Sequence, residues 1–314
     1  MAKKLTFEKF LELARSRATP PSELRDYIEF DPHSPLPQLR FRSDVLLDQP
    51  PETFNLDDEI RQIGRAIDRE RREQRKSLAF SELKGVVAEG DSWFDLPFFY
   101  NVYAIAEWID WNERFRMENI ADYGHTLERI LKDHAYMRVI ETEHPDFFIF
   151  SAGGNDLQIG LAKGKFIHDY DPNRPANEYL TTEGQESGAE GLREIGRQYQ
   201  ELLEEIHKAF ATLPIICHGY DYPRSLNGEG QWIGQYLKKQ GIPDRLMNPI
   251  VDSVLNQLND VIKKATFSIT TARFLDCRGK TGPSDWMDDM HPGNPGFSAL
   301  ATIFENAMNR YPDR

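Results

Sequence analysis

Hydrophobic positions along the chain change their spacing near residue 80. Before that point they fall at helical intervals. Leu5, Phe7, Phe10, Leu11 and Ala14 form one stripe, and Ile60, Ile63 and Ile67 form another among dense charges. Pro20-Pro21-Ser22 interrupts the first stripe and supplies a new cap, and the Pro-rich text from Asp31 to Pro51 reads as irregular. From Leu83 onward short apolar runs take over. Val86–Gly90, Phe147–Ser151, Pro214–His218 and Arg273–Cys277 each read as a strand covered on both faces, and Arg116–Ala121 is a weaker candidate. Amphipathic stripes separate the runs, at Leu192–Ile206, Leu246–Ile262 and Phe297–Met308.

Strand–helix alternation predicts an α/β fold over residues 81–314, with a mostly parallel sheet of about five strands and helices on both sides. Residues 1–80 are expected to form a helical N-terminal extension. In parallel sheets ligands bind beyond the carboxyl ends of the strands, so chemistry is sought in the loops that follow them.

Three loops carry it. After the first run comes Gly90-Asp91-Ser92-Trp93-Phe94, where the glycine permits a sharp turn and Ser92 can project into the crevice. An ordinary loop with Ser92 as a helix cap is the plainer reading. After the second comes Ser151-Ala152-Gly153-Gly154-Asn155-Asp156, whose asparagine amide can donate to a developing oxyanion. A simple turn would also use Gly and Asn there. Asp285-Trp286-Met287-Asp288-Asp289-Met290-His291-Pro292 puts an acid three residues before a histidine, close enough to fix its tautomer and leave the other nitrogen as a base. A metal site built from Asp285, Asp288, Asp289 and His291 lacks a second histidine at a ligand spacing, and no cofactor or metal is expected. A hydroxyl, an amide donor and an Asp/His pair in these three loops make hydrolase chemistry the leading reading.

Composition acts mainly by exclusion. The chain has 314 residues, 38 basic and 51 acidic, for a net charge of −13. Residues 1–80 hold 15 of each sign, so the whole negative charge falls on 81–314. Broad nucleic-acid binding and polyanionic substrates are therefore disfavoured there, while the neutral extension stays open as a surface for a protein partner. The stretch 61–76 has seven basic and three acidic residues and reads either as a local anionic contact or as a solvated face. At 39% hydrophobic and 11% aromatic, disorder of the whole chain is excluded. Two cysteines, Cys217 and Cys277, exclude a disulfide framework, and Cys217 reads as a small buried hydrophobe. The N-terminus turns acidic before any apolar run, and no run is long enough to span a bilayer. A soluble, cytoplasmic protein is expected.

With these segments in view, the chain resembles the SGNH, or GDSL-type, hydrolase family. Gly90-Asp91-Ser92-Trp93 is similar to its first block, Asn119-Ile120-Ala121-Asp122-Tyr123-Gly124 to the second, Gly153-Gly154-Asn155-Asp156 to the third and Asp288-Asp289-Met290-His291-Pro292 to the fifth. The blocks keep the family's order over Gly90 to about Met308. Trp93 stands where leucine is common, and residues 1–80 lie outside the resemblance. The absence of a Gly-x-Ser-x-Gly elbow argues against the larger α/β-hydrolase family.

The resemblance implies a flavodoxin-like three-layer α/β/α sandwich and an esterase acting through an acyl-enzyme. Ser92 would be the nucleophile, His291 the base and Asp288 the orienting acid, with Asp289 a rival for the last role. The backbone N–H groups of Ser92 and Gly124 and the side chain of Asn155 would form the oxyanion hole. Trp93, Gly154 and His218 are candidates for contact with a small-molecule, lipid or sugar acyl ester. An acyltransferase, a carbohydrate O-deacetylase and a catalytically silent binding module stay as alternatives. The aromatic cluster at 93–100 reads as core or as an acyl-binding wall. Leu157–Gly191 and Ser225–Gly241 read as lids or surface decoration. The N-terminal segment reads as a packed extension or a separate adaptor.

Overall fold

A computed structural model describes residues 4–75, 83–112, 114–186, 191–224 and 226–311. The chain opens with helix α1 (Phe7–Arg15), capped where the Thr6 hydroxyl accepts the Lys9 N–H. A 3-10 turn over Pro21–Asp26 leads into an antiparallel ribbon of β1 (Ile28–Phe30) and β2 (Leu39–Phe41), followed by α2 (Leu56–Arg75). The ribbon lies partly in the stretch expected to be irregular. Its strands are three residues each, too short for an alternating pattern to register, and Pro32, Pro35 and Pro37 occupy the link between them. The extension is thus helical only in part.

The remaining elements alternate as the apolar runs predict. They are β3 (Lys84–Gly90), α3 (Ile105–Trp111), β4 (Phe115–Asn119), α4 (Leu127–Asp133), α5 (Ala135–Glu143), β5 (Phe147–Ser151), α6 (Gly154–Ala162), α7 (Thr182–Glu186), α8 (Leu192–Ala209), β6 (Ile215–His218), α9 (Gly234–Lys239), α10 (Asp244–Thr266), β7 (Ala272–Leu275) and α11 (Asn294–Met308). The five strands from β3 on form one parallel sheet in the order β4-β3-β5-β6-β7. This is the flavodoxin-like order, in which the chain leaves β3 toward one edge and returns to build toward the other. Helices α3 and α11 pack on one face; α5, α8 and α10 cover the other. The weak candidate at 116–121 is edge strand β4.

The switch point falls between β3 and β5, whose last residues Gly90 and Ser151 are ladder partners. The loops carrying Ser92 and Asn155 therefore start side by side. Residues of the N-terminal segment, among them Phe10, Ile28, Phe30 and Ile60, share one buried core with the sheet. The boundary drawn at 80/81 lies outside the described residues, as do Ser225 and residues 187–190 of the two long segments. No helix among the described residues is long and apolar enough to cross a membrane.

Candidate active site

Gly90 ends β3 against the end of β5. A Cβ at this position would sit 2.3 Å from the Ser151 carbonyl oxygen, so a glycine is what allows the two strand ends to close. The buried Asp91 carboxylate then ties the turn together. It accepts the Trp93 N–H at 3.0 Å, the Ser151 hydroxyl at 2.8 Å and the Tyr220 hydroxyl. Burial raises its pKa, and those three hydrogen bonds work against the rise. Tyr220 in turn accepts the Gly154 N–H at 3.1 Å. The turn after β3 and the first turn of α6 are thus joined through one tyrosine.

Ser92 is buried at the tip of the turn, and its Oγ lies 2.9 Å from His291 Nε2. The other ring nitrogen, Nδ1, lies 2.9 Å from Asp288 Oδ2 and 3.1 Å from Oδ1. The acid and the base meet because residues 285–293 fold back on themselves: Met287 N–H bonds the His291 carbonyl and Gly293 N–H bonds the Asp285 carbonyl. At the tip, Asp288 Oδ1 also accepts the N–H groups of Met290 at 2.8 Å and His291 at 2.7 Å. Burial alone would raise the Asp288 pKa. The charge on His291 when protonated and these hydrogen bonds outweigh it and hold the carboxyl below its ordinary value.

Asp289 points elsewhere. Its carboxylate accepts the backbone N–H groups of Trp232 at 3.0 Å, Ile233 at 2.7 Å and Gly234 at 2.9 Å, at the start of α9. Of the two acids, only Asp288 is hydrogen-bonded to the His291 ring. Trp232 links the two acids, since its indole N–H donates to Asp288 Oδ2 at 3.1 Å.

Asn155 is buried in the first turn of α6, and its side-chain N–H donates to the His125 carbonyl at 2.8 Å. Gly124, one residue earlier, has φ +80°, the left-handed region that favours glycine. His125 itself is pushed down to about 3 by burial and nearby arginines, so it stays neutral.

Ser92, Trp93, Gly154 and Asn155 line one cavity of about 640 Å³, its open mouth included. Its walls are mostly apolar, with Leu157, Leu161, Ile233, Leu237, Val254 and Leu255 among them. Gly124 and His218 do not line it. His218 is buried under the rings of Trp93 and Phe94, at centroid distances of 5.5 and 5.7 Å, and burial lowers its pKa to about 4. The segment after β6 reaches the cavity through Tyr220 and Asp221 instead. Of the aromatic cluster, Phe94 and Phe99 are core, while Trp93 faces the cavity. Part of each long segment borders it, through Leu157, Ile167, Ile233 and Leu237.

Sequence reasoning missed the work of Asp91, Tyr220, Trp232 and Asp289. Asp91 stood beside the serine, but nothing in the spacing joins it to a tyrosine 129 positions away. Among the described residues no cluster of three or more His, Cys, Asp or Glu could hold a metal ion.

Fold and site define an α/β/α domain with a serine–histidine–aspartate hydrogen-bond chain beyond the carboxyl ends of its strands. No protein-family model and no curated protein matches the sequence. Solved structures resemble its fold. Phospholipase A1 from Streptomyces albidoflavus is 15% identical, over 71% of this chain and 99% of that one, with a TM-score of 0.48. A lipase/acylhydrolase from Enterococcus faecalis is 15% identical over 74% and 100%, with a TM-score of 0.42. A member of the lipolytic G-D-S-L family from Veillonella parvula is 14% identical over 72% and 99%, with a TM-score of 0.39.

Proposed function

We propose that this chain is a serine hydrolase of the SGNH, or GDSL, type that cleaves carboxylic esters through an acyl-enzyme. The observation that carries the reading is the unbroken chain Ser92 Oγ–His291 Nε2, His291 Nδ1–Asp288 at the polar end of an apolar cavity. His291 takes the proton from Ser92 as the hydroxyl attacks the ester carbonyl and returns it to the leaving alcohol. Asp288 holds the imidazole in the tautomer that leaves Nε2 free and stabilises the imidazolium that forms. In the second half-reaction His291 activates water against the acyl-enzyme. The oxyanion is assigned to the N–H groups of Ser92 and Gly124 and to the Asn155 amide. The apolar walls favour an uncharged acyl chain over a polar one.

Hydrolysis of p-nitrophenyl esters from two to twelve carbons, by the wild type and Ser92→Ala, tests this. The expected result is turnover by the wild type and a loss of at least about 1000-fold in kcat in the variant, with its melting temperature retained. Full activity in Ser92→Ala would sink the assignment.

A further inference from the structure

The segment Asp122–His125 contains one of the two oxyanion donors assigned outside the serine turn and hydrogen-bonds the other. Gly124 is in it, and the His125 carbonyl binds the Asn155 amide at 2.8 Å. Inside the sheet domain the segment is held by backbone bonds, from Asp122 N–H to the Gly90 carbonyl and from His125 N–H to the Asp122 carbonyl. A further side-chain anchor comes from outside that domain. Arg61, on helix α2 of the N-terminal extension, donates from Nε to Asp122 Oδ1 at 2.5 Å and from Nη2 to the Tyr123 carbonyl at 3.4 Å. Its guanidinium also lies 4.6 Å from the centre of the Tyr123 ring. Both partners are shielded, with side-chain exposures of 15% for Arg61 and 6% for Asp122, so solvent screens the pair weakly. The extension touches the segment a second time, where the Pro37 carbonyl lies 2.9 Å from the place a Cβ on Gly124 would occupy.

We infer that Arg61 is a positioning residue for the oxyanion site, and that the site is incomplete without the N-terminal extension. The inference rests on the ester-hydrolase reading above. A guanidinium suits the task because its planar fork grips a carboxylate and a carbonyl at once, which an ammonium cannot reproduce. Donor placement within a fraction of an ångström decides how well a developing oxyanion is stabilised, so a loosened segment lowers kcat more than it weakens binding.

The test compares wild type, Arg61→Met, Arg61→Lys and the double variant Arg61→Met/Asp122→Asn on one p-nitrophenyl ester. Active sites are titrated with a fluorophosphonate so that kcat is expressed per competent site, and melting temperatures are recorded. The double variant removes the buried carboxylate that has lost its Arg61 partner and covers the case in which Arg61→Met does not fold. Arg15→Met is the control, because Arg15 at the end of α1 pairs with Glu59 of α2 without touching the segment. The expected result is a fall of about 10- to 100-fold in kcat per titrated site for Arg61→Met and for the double variant. KM should stay within about threefold, Arg61→Lys should recover part of the loss, and Arg15→Met should match wild type. A kcat per site within twofold of wild type, with only melting temperature or active fraction reduced, would overturn the inference and leave Arg61 a folding role. A wild type with neither ester turnover nor a fluorophosphonate adduct would overturn the ester-hydrolase reading, and this inference with it.

Discussion

Adjacent carboxylates at 288 and 289 differ in what their oxygens accept. Asp288 faces His291 Nδ1, whereas Asp289 closes the loop before α9 with three backbone N–H groups. Their substitutions should therefore separate. Asp288→Asn keeps the shape but offers the imidazole the wrong hydrogen-bond pattern, so kcat should fall about 100- to 10,000-fold with melting little changed. Asp289→Ala strands three donors and should cost about 2–3 kcal/mol in a denaturation experiment. A kinetic defect larger in Asp289→Ala than in Asp288→Asn would reverse the two roles. At this scale the acid–base spacing was legible, because an acid three residues before a histidine can reach the same ring in a tight turn. The choice of Asp288 over Asp289 came only from the resemblance, since the physical reason lies in Trp232 to Gly234, more than fifty residues earlier. His218 illustrates the same limit. Its place at a strand end marked it as a candidate, but burial beneath Trp93 and Phe94 makes it part of the floor supporting the cavity wall.

At the level of elements, the site depends on strand ends that close on each other. Gly90→Ala would drive a methyl group into the Ser151 carbonyl, so the variant is expected to melt well below wild type or fail to fold. Wild-type melting in Gly90→Ala would contradict that packing. The cavity walls come from α6, α9 and α10, whose apolar side chains face the space beyond Ser92 and Asn155. Val254→Trp should shorten the reach of the cavity and move the preferred ester toward fewer carbons, read as kcat/KM across the same p-nitrophenyl series. An unchanged chain-length profile would show that the acyl group lies elsewhere. The sheet was legible in the sequence because parallel strands buried on both faces leave unbroken apolar runs such as Phe147–Ser151. The β1–β2 ribbon was hidden by its three-residue strands and the prolines between them. The Asp91–Tyr220–Gly154 connection could not be read from spacing, because it exists only once β3, β5 and β6 lie side by side.

For the molecule as a whole, the N-terminal segment packs behind the loop that carries His291. Phe30 packs on Tyr100 at 4.8 Å and on Trp232 at 5.3 Å, and its ring lies 6.4 Å from that of His291. Glu89, buried in β3, gives the fold a pH dependence of definite sign. Burial pushes its carboxyl up to about 8 despite the Gly90 N–H it accepts. Between the ordinary carboxyl value near 4.5 and that value, the folded state holds a proton that the unfolded chain releases. Stability from this group is therefore full below about 4.5 and is lost as pH rises toward 8. His125 and His218, held neutral in the fold, have the opposite slope, but only below about 6.5. Melting temperature should thus fall as pH is raised from about 6.5 to 8, and Glu89→Gln should reduce that slope; an unaltered slope would contradict the assignment. The central claim is that Ser92, activated by His291, is the nucleophile. It is tested most directly by treating the protein with a fluorophosphonate and locating the adduct by peptide mass spectrometry. The expected result is a single adduct on Ser92, absent in Ser92→Ala and formed at least about 100-fold more slowly in His291→Ala. An adduct on another residue, or labelling of His291→Ala at the wild-type rate, would contradict it.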